Sequence, residues 1–256
     1  MRILALLIIA LFLNSSSFGW GITGHHTIGL IAQKHLSKKA KRKLRDLLKH
    51  ESLAVVSTWM DEERSNPEYY HMTDWHWVDM PKGETYETTK KNPKGDIIAT
   101  INRLIDELEK GGLSTEEEII HIKMLVHLVG DIHQPLHCGT GEDAGGNKRS
   151  VRWFGRDTNL HTVWDTKIID DKKFSYTELA AAIDHTDDPA LIEKWQNEGI
   201  LTWVDESTKY RDKAYEAIPE DDYIGNEYIY SQWPVIQLRL HQAGVRLAGI
   251  LNKLYK

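Results

Sequence analysis

The 256-residue chain contains a single cysteine, Cys138. One thiol cannot close an internal disulfide, and it rules out every Cys-x-x-Cys redox or metal motif. No internal repeat, low-complexity tract or Pro/Ser-rich linker divides residues 20–256. Basic excess is also missing: 32 Lys and Arg stand against 38 Asp and Glu. The surface therefore lacks the broad positive footprint of proteins that track a nucleic-acid backbone. At 41% hydrophobic and 27% charged residues, the composition excludes a disordered, collagenous or multi-span membrane protein.

At the N-terminus, Met1-Arg2 precedes an apolar stretch over residues 3–13 and a small, polar one from Asn14 to Gly19. This reads as a secretory signal peptide, too short to span a bilayer. With Ser17 and Gly19 at the −3 and −1 positions, cleavage exposes Trp20. The expected division is a signal over residues 1–19 and one domain over 20–256. Exported proteins normally use disulfides. An export signal without them points to a bacterial protein, secreted or periplasmic. The N-x-S/T sequon at Asn14 falls inside the signal.

Most of the remainder reads as helix, an all-α single domain with a short β-hairpin in a Gly-rich loop. Residues 27–35 and 37–50 have apolar and basic faces. Ile97, Ile101, Leu104, Ile105 and Leu108 recur at helical spacing until Gly111-Gly112. Ser114 and Glu117 then form a capping box for a helix from about Thr115 to Asp131. Ile236, Leu240, Leu247, Leu251 and Leu254 form a C-terminal apolar stripe, with Arg239, Arg246 and Lys253 on another face. The Gly-rich run 138–160 breaks this pattern and places the hairpin near 149–154. The basic residues of 37–50 read as a solvated helix face, and Cys138 as a buried thiol.

The thirteen histidines carry the chemistry. In HLVGDIHQPLH, His127 and Asp131 are four apart and share a helix face, with His137 just past the helix end. His161 and Asp165 repeat that spacing in NLHTVWD. Imidazole and carboxylate donors suit zinc without cysteine. Asp61 in STWMDEER and His76 and Asp79 in WHWVDM offer further donors, while His133 reads as a packing or orienting residue. If cleavage frees the Trp20 α-amine, that amine and the Trp20 carbonyl can chelate a metal, with His25 completing the site.

The motifs WGxxGH, WxDxxR, WHxxD, HxxxDxHQPLH, GGN and TNLHxVWD occur in that order between Trp20 and Asp165. Together they resemble the zinc-dependent single-strand nucleases and 3′-nucleotidases known as type I nucleases. The resemblance implies a helical fold shared with zinc phospholipase C and three zinc ions. By motif, one zinc takes Asp61, His76, His127 and Asp131. A second takes Trp20, His25 and the bridging Asp131, and a third takes His137, His161 and Asp165. Arg64 and Asn159 match phosphate-contacting positions, and Asp79 and Trp77 match the base-binding subsite.

The resemblance thus implies a secreted monomer acting on single-stranded DNA or RNA and on 3′-nucleotides, with no membrane span after signal cleavage. Two zinc ions about 3.5–4 Å apart share a hydroxide of pKa near 7, which attacks phosphorus in line. Departure of the 3′ oxygen leaves a 5′-phosphate. The rival enzyme is zinc phospholipase C, whose last ligand pair ends in Glu and whose Trp-to-His interval is longer. Here that pair is His161-Asp165, and the interval is Trp-x4-His.

Overall fold

Local propensity and capping account for the main helices. A computed structural model of the chain describes residues 19–185 and 188–256. Nearly all of the expected signal peptide, residues 1–18, lies outside the described residues. Helix α1 spans Ile22–Lys34, α2 Lys38–Leu48, α3 Ile97–Lys110 and α4 Thr115–Asp131. Ser37 and Asp96 accept N-cap hydrogen bonds for α2 and α3, and the Ser114/Glu117 capping box opens α4. Each cap satisfies an otherwise orphaned backbone N–H. Further on come α5 Tyr176–Ile183, α6 Pro189–Asn197, α7 Ile200–Glu216 and α8 Asn226–Leu254.

Helix α8, 29 residues long, runs through the core, where Ile236, Leu240, Leu247 and Leu251 are fully buried. It packs closely on α1 because Gly244 leaves no side chain between them: a Cβ there would lie 2.6 Å from Cβ of Ile31. No helix among the described residues is long and apolar enough to cross a membrane.

Two short sheets complete the fold. Strand β1 (Val78–Asp79) pairs in parallel with β2 (Cys138–Gly139). The hairpin of β3 (Ser150–Trp153) and β4 (Arg156–Asn159) turns at Phe154-Gly155, both with positive φ. That conformation suits a two-residue hairpin turn. Strand β5 (Tyr223–Ile224) adds to β3 in parallel. The hairpin thus extends five residues beyond its expected end.

One expectation needs correction. The first helix begins at Ile22 rather than at 27, so Gly24 and His25 are helical. Gly24 is there for contact rather than for a turn, since a Cβ would come within 2.8 Å of Trp20 Cβ. The face expected to carry Arg239 and Arg246 lies in the core, where both side chains are fully buried. Both pair with Glu206 from α7, and Arg246 also pairs with Glu198. The basic residues of α2 are exposed as expected.

Candidate metal centre

Helix α4 delivers His127 and Asp131 on one face, and the remaining donors converge on them from five other segments. His25 comes from α1, Asp61 from a short helical turn (Trp59–Glu62) and His76 from the end of the 3-10 segment Pro67–His76. His137 ends a 3-10 turn after Pro135. His161 and Asp165 lie on a short helix that widens into a π-helical turn over Val163–Lys167. Such turns are frequent at functional sites. Apart from the partly exposed Asp61, these donors are at most 3% exposed.

The Asp131 carboxylate faces two ways. Its Oδ1 lies 3.2 Å from His25 Nε2, and its Oδ2 lies 2.9 Å from His76 Nδ1 and 3.1 Å from His127 Nε2. His127 Nε2 is also 3.1 Å from His76 Nδ1 and 3.8 Å from Asp61 Oδ1. Tetrahedral zinc, bound at 2.0–2.1 Å, spaces its donor atoms about 3.3 Å apart. The observed separations bracket that value. Three sets of donor atoms, each clustered within 4.8 Å, could hold an ion here: His25, His127 and Asp131; Asp61, His76 and His127; and His137, His161 and Asp165.

Orphaned atoms point the same way. Both nitrogens of His25, Oδ1 of Asp131 and Oδ1 of Asp61 are buried without a hydrogen bond. Buried polar atoms are ordinarily paired, and a cation between His25 Nε2 and Asp131 Oδ1, 3.2 Å apart, would satisfy two of these at once. The main chain before Trp20 passes directly against the pair: a Cβ on Gly19 would overlap Asp131 Oδ1 and lie 2.9 Å from His25 Nε2. Trp20 itself is fully buried.

Backbone carbonyls orient the rings. The Nδ1–H of His127 donates to Ser57 O at 2.7 Å, that of His137 to His76 O at 2.7 Å, and that of His161 to Gly145 O at 2.6 Å. Each bond turns Nε2 toward the cluster as the ligand atom. His161 Nε2 stands 3.0 Å from Asp165 Oδ2, while Gln134 donates to Asp165 Oδ1. Gly145 can supply its carbonyl because it has φ +60° and no side chain; a Cβ would sit 2.3 Å from Leu136 O.

The electrostatics are those of a buried, highly charged cluster. Burial opposes ionisation of Asp131, yet His127 and His137 outweigh it and hold the carboxyl well below its usual range. Burial likewise acts to lower His127, but Asp131 and Asp61 push it up to about 9. Burial lowers His137 to about 4 and raises Asp165 to about 6. His133 is neutral: burial and the cations of Arg239 and Arg246 hold it far down. It donates through Nδ1 to Val129 O at 2.8 Å and accepts at Nε2 from Arg246. Burial pushes the Cys138 thiol up to about 12.

The other expected site residues lie at varying remove. Asp79 and Trp77 line one cleft of about 220 Å³ together with His137, His161, Asn147 and Lys148. The β1–β2 pairing joins Asp79 to Gly139 and so fixes this subsite to the His137 segment. Partial desolvation raises the Asp79 carboxyl above its usual range. Arg64 lies on the 3-10 turn Glu63–Ser65, directly after the Asp61 turn. Asn159 caps the helical segment bearing His161, its Oδ1 accepting from Thr162 N at 2.7 Å. Ser57 and Gly145 contribute carbonyls that no side-chain pattern reveals. Gln134 was visible inside HQPLH but carried no recognisable ligand chemistry.

A helical body that gathers His and Asp donors from six segments around one two-sided carboxylate has the makings of a metal-binding protein. Residues 20–256 match the family model described as S1/P1 Nuclease. The chain belongs to that family and is accordingly a hydrolase of the endonuclease class. It is 31% identical to Endonuclease 3 of Arabidopsis thaliana, covering 100% of this chain and 95% of that one. It is 29% identical to Nuclease S1 of Aspergillus oryzae, covering 98% and 97%. Its fold resembles that of Clostridium perfringens alpha-toxin, with a TM-score of 0.55 and 14% identity over 94% of this chain. The match spans 65% of the toxin.

Proposed function

We propose that the chain is an exported, zinc-dependent phosphoesterase that cuts single-stranded DNA or RNA to 5′-phosphate products and dephosphorylates 3′-nucleotides. Residues 1–19 are its signal peptide and 20–256 its trinuclear domain. The observation that carries this reading is the two-sided Asp131 carboxylate, with imidazoles on both oxygens. One zinc is assigned to Asp61, His76, His127 and Asp131, a second to Trp20, His25 and Asp131, and a third to His137, His161 and Asp165. When bound, zinc supplies Lewis acidity toward phosphoryl oxygens and a nucleophile available near neutral pH.

The chain's own residues supply position and selectivity. Arg64 offers two parallel N–H donors to the phosphoryl oxygens as charge redistributes. The Asn159 amide nitrogen donates to the same group while its oxygen keeps the cap. In the cleft beside His137 and His161, Trp77 stacks on a base and Asp79 accepts from the base edge. A duplex hides that face of the base, so the subsite favours unpaired strands. With no broad basic surface, the enzyme grips one or two nucleotides, and its salt dependence is shallow.

The relatives' names, endonuclease and nuclease, favour a nucleic-acid substrate, whereas the toxin likeness at 14% identity bears on fold alone. The purified mature chain is expected to release nucleotides from single-stranded DNA, to stop on chelation and to recover with Zn²⁺. Hydrolysis of phosphatidylcholine with no release of nucleotides would overturn the substrate assignment.

A further inference from the structure

A second histidine–carboxylate cluster lies away from the nuclease centre. His35 caps the C-terminal end of α1, ten residues and so about 15 Å along that helix from His25. Asp184 caps the end of α5, and His241 lies within α8. His35 Nε2 is 2.8 Å and His241 Nε2 3.3 Å from the same oxygen, Asp184 Oδ1. All three ligand atoms fall within 4.8 Å of one another. The side chains of Asp184 and His241 are 8% and 9% exposed, and that of His35 20%.

A plain hydrogen-bonded cluster explains only half of this geometry. His35 is hydrogen-bonded to Asp184, but His241 Nε2 is buried with no hydrogen-bond partner. It approaches Asp184 Oδ1 at the donor spacing of a tetrahedral ion, about 3.3 Å, without hydrogen-bond alignment. The Trp195 and His241 rings pack nearly perpendicular, with centroids 5.1 Å apart. Lys34 reaches Oδ2 at 3.3 Å and leaves Oδ1 to the imidazoles. Burial opposes ionisation of Asp184, yet His241, His35 and Lys34 hold it far below the usual carboxylate range.

We infer that His35, Asp184 and His241 form a separate metal site that takes a zinc-type divalent cation and clamps α1, α5 and α8 together. Two imidazoles and one carboxylate select Zn²⁺, Co²⁺ or Cu²⁺ over Ca²⁺ and Mg²⁺, which require mostly oxygen ligands. Three protein ligands leave one coordination position to water. The clamp acts on stability, because none of its ligands belongs to the nuclease centre.

The test compares zinc content of the mature wild type with His35→Gln and His241→Gln after equilibration with excess Zn²⁺ and gel filtration. Wild type is expected to retain one equivalent more than either variant, with single-strand cleavage unchanged in all three. The comparison reads a difference, so it stands whatever number the nuclease centre holds. Equal zinc content in wild type and both folded, active variants would overturn the proposal. Should either variant fail to fold, anomalous diffraction from zinc-equilibrated wild-type crystals decides. A peak between the three ligand atoms supports the site; peaks confined to the nuclease centre refute it.

Discussion

Asp131 is held from both sides. It is fully buried, at the end of α4, and both oxygens face imidazoles from other segments. Asp131→Asn keeps the volume but removes the charge that two ligand sets share. The substitution is expected to lower kcat/KM by on the order of 10³-fold and to exceed the loss from any single histidine ligand. Steady-state kinetics on a single-stranded oligonucleotide checks both. The proposed ligand role of Trp20 requires a free amine. Retaining one extra residue before Trp20 is expected to remove a zinc and most activity; full activity with a blocked amine would refute that ligand assignment. His127–Asp131 and His161–Asp165 were legible because i, i+4 spacing puts two donors on one helix face. Ser57 and Gly145 were not, since any residue type carries a carbonyl and only the fold aims it.

At the scale of elements, α4 was legible almost to the residue, because its start is written as a capping box and its end by the following Pro135. Helix α1 was not, because the apolar and basic faces show only from residue 27 and the packing of Gly24 on Trp20 is a tertiary contact. Nor was the second face of α8. A 29-residue helix crossing a core is buried on more than one side, so the apolar stripe alone did not place Arg239 and Arg246. They lie beneath α4. Arg239 donates to the His133 carbonyl at 3.1 Å and Arg246 to the His133 ring at 3.0 Å. Glu206 compensates both cations. Burial opposes its ionisation, but the two arginines outweigh this and hold its carboxyl below the usual value. A depressed folded-state pKa stabilises the protein above the unfolded value of about 4.3 and loses that contribution as pH falls through the folded value. Glu206→Gln is therefore expected to cost about 3 kcal/mol or more at pH 7 and to flatten the acid limb of stability. Urea denaturation midpoints from pH 7 down to 3 measure both effects.

For the whole molecule, one cysteine means that no disulfide ties the segments supplying the donors. On the proposed assignment, metal coordination would cross-link the start of α1 to α4 and to the segments bearing Asp61 and His76, and would join His137 to the segment bearing His161 and Asp165. Because such sites form only in the folded chain, binding is coupled to folding. Metal at 100-fold over its dissociation constant contributes about 2.7 kcal/mol. For a chain this long, chelation is then expected to lower Tm by roughly 5–10 °C, as calorimetry with and without chelator would show. The acidic balance, which at first disfavours a polyanion substrate, is consistent with positive charge concentrated at one buried centre. The most direct measurement of the central claim is end-group analysis of a short single-stranded oligonucleotide cut by protein matured at Trp20, with and without chelator. The account predicts 5′-phosphate and 3′-hydroxyl ends that vanish on chelation and return with Zn²⁺; 3′-phosphate ends, or cleavage that survives complete metal removal, would contradict it.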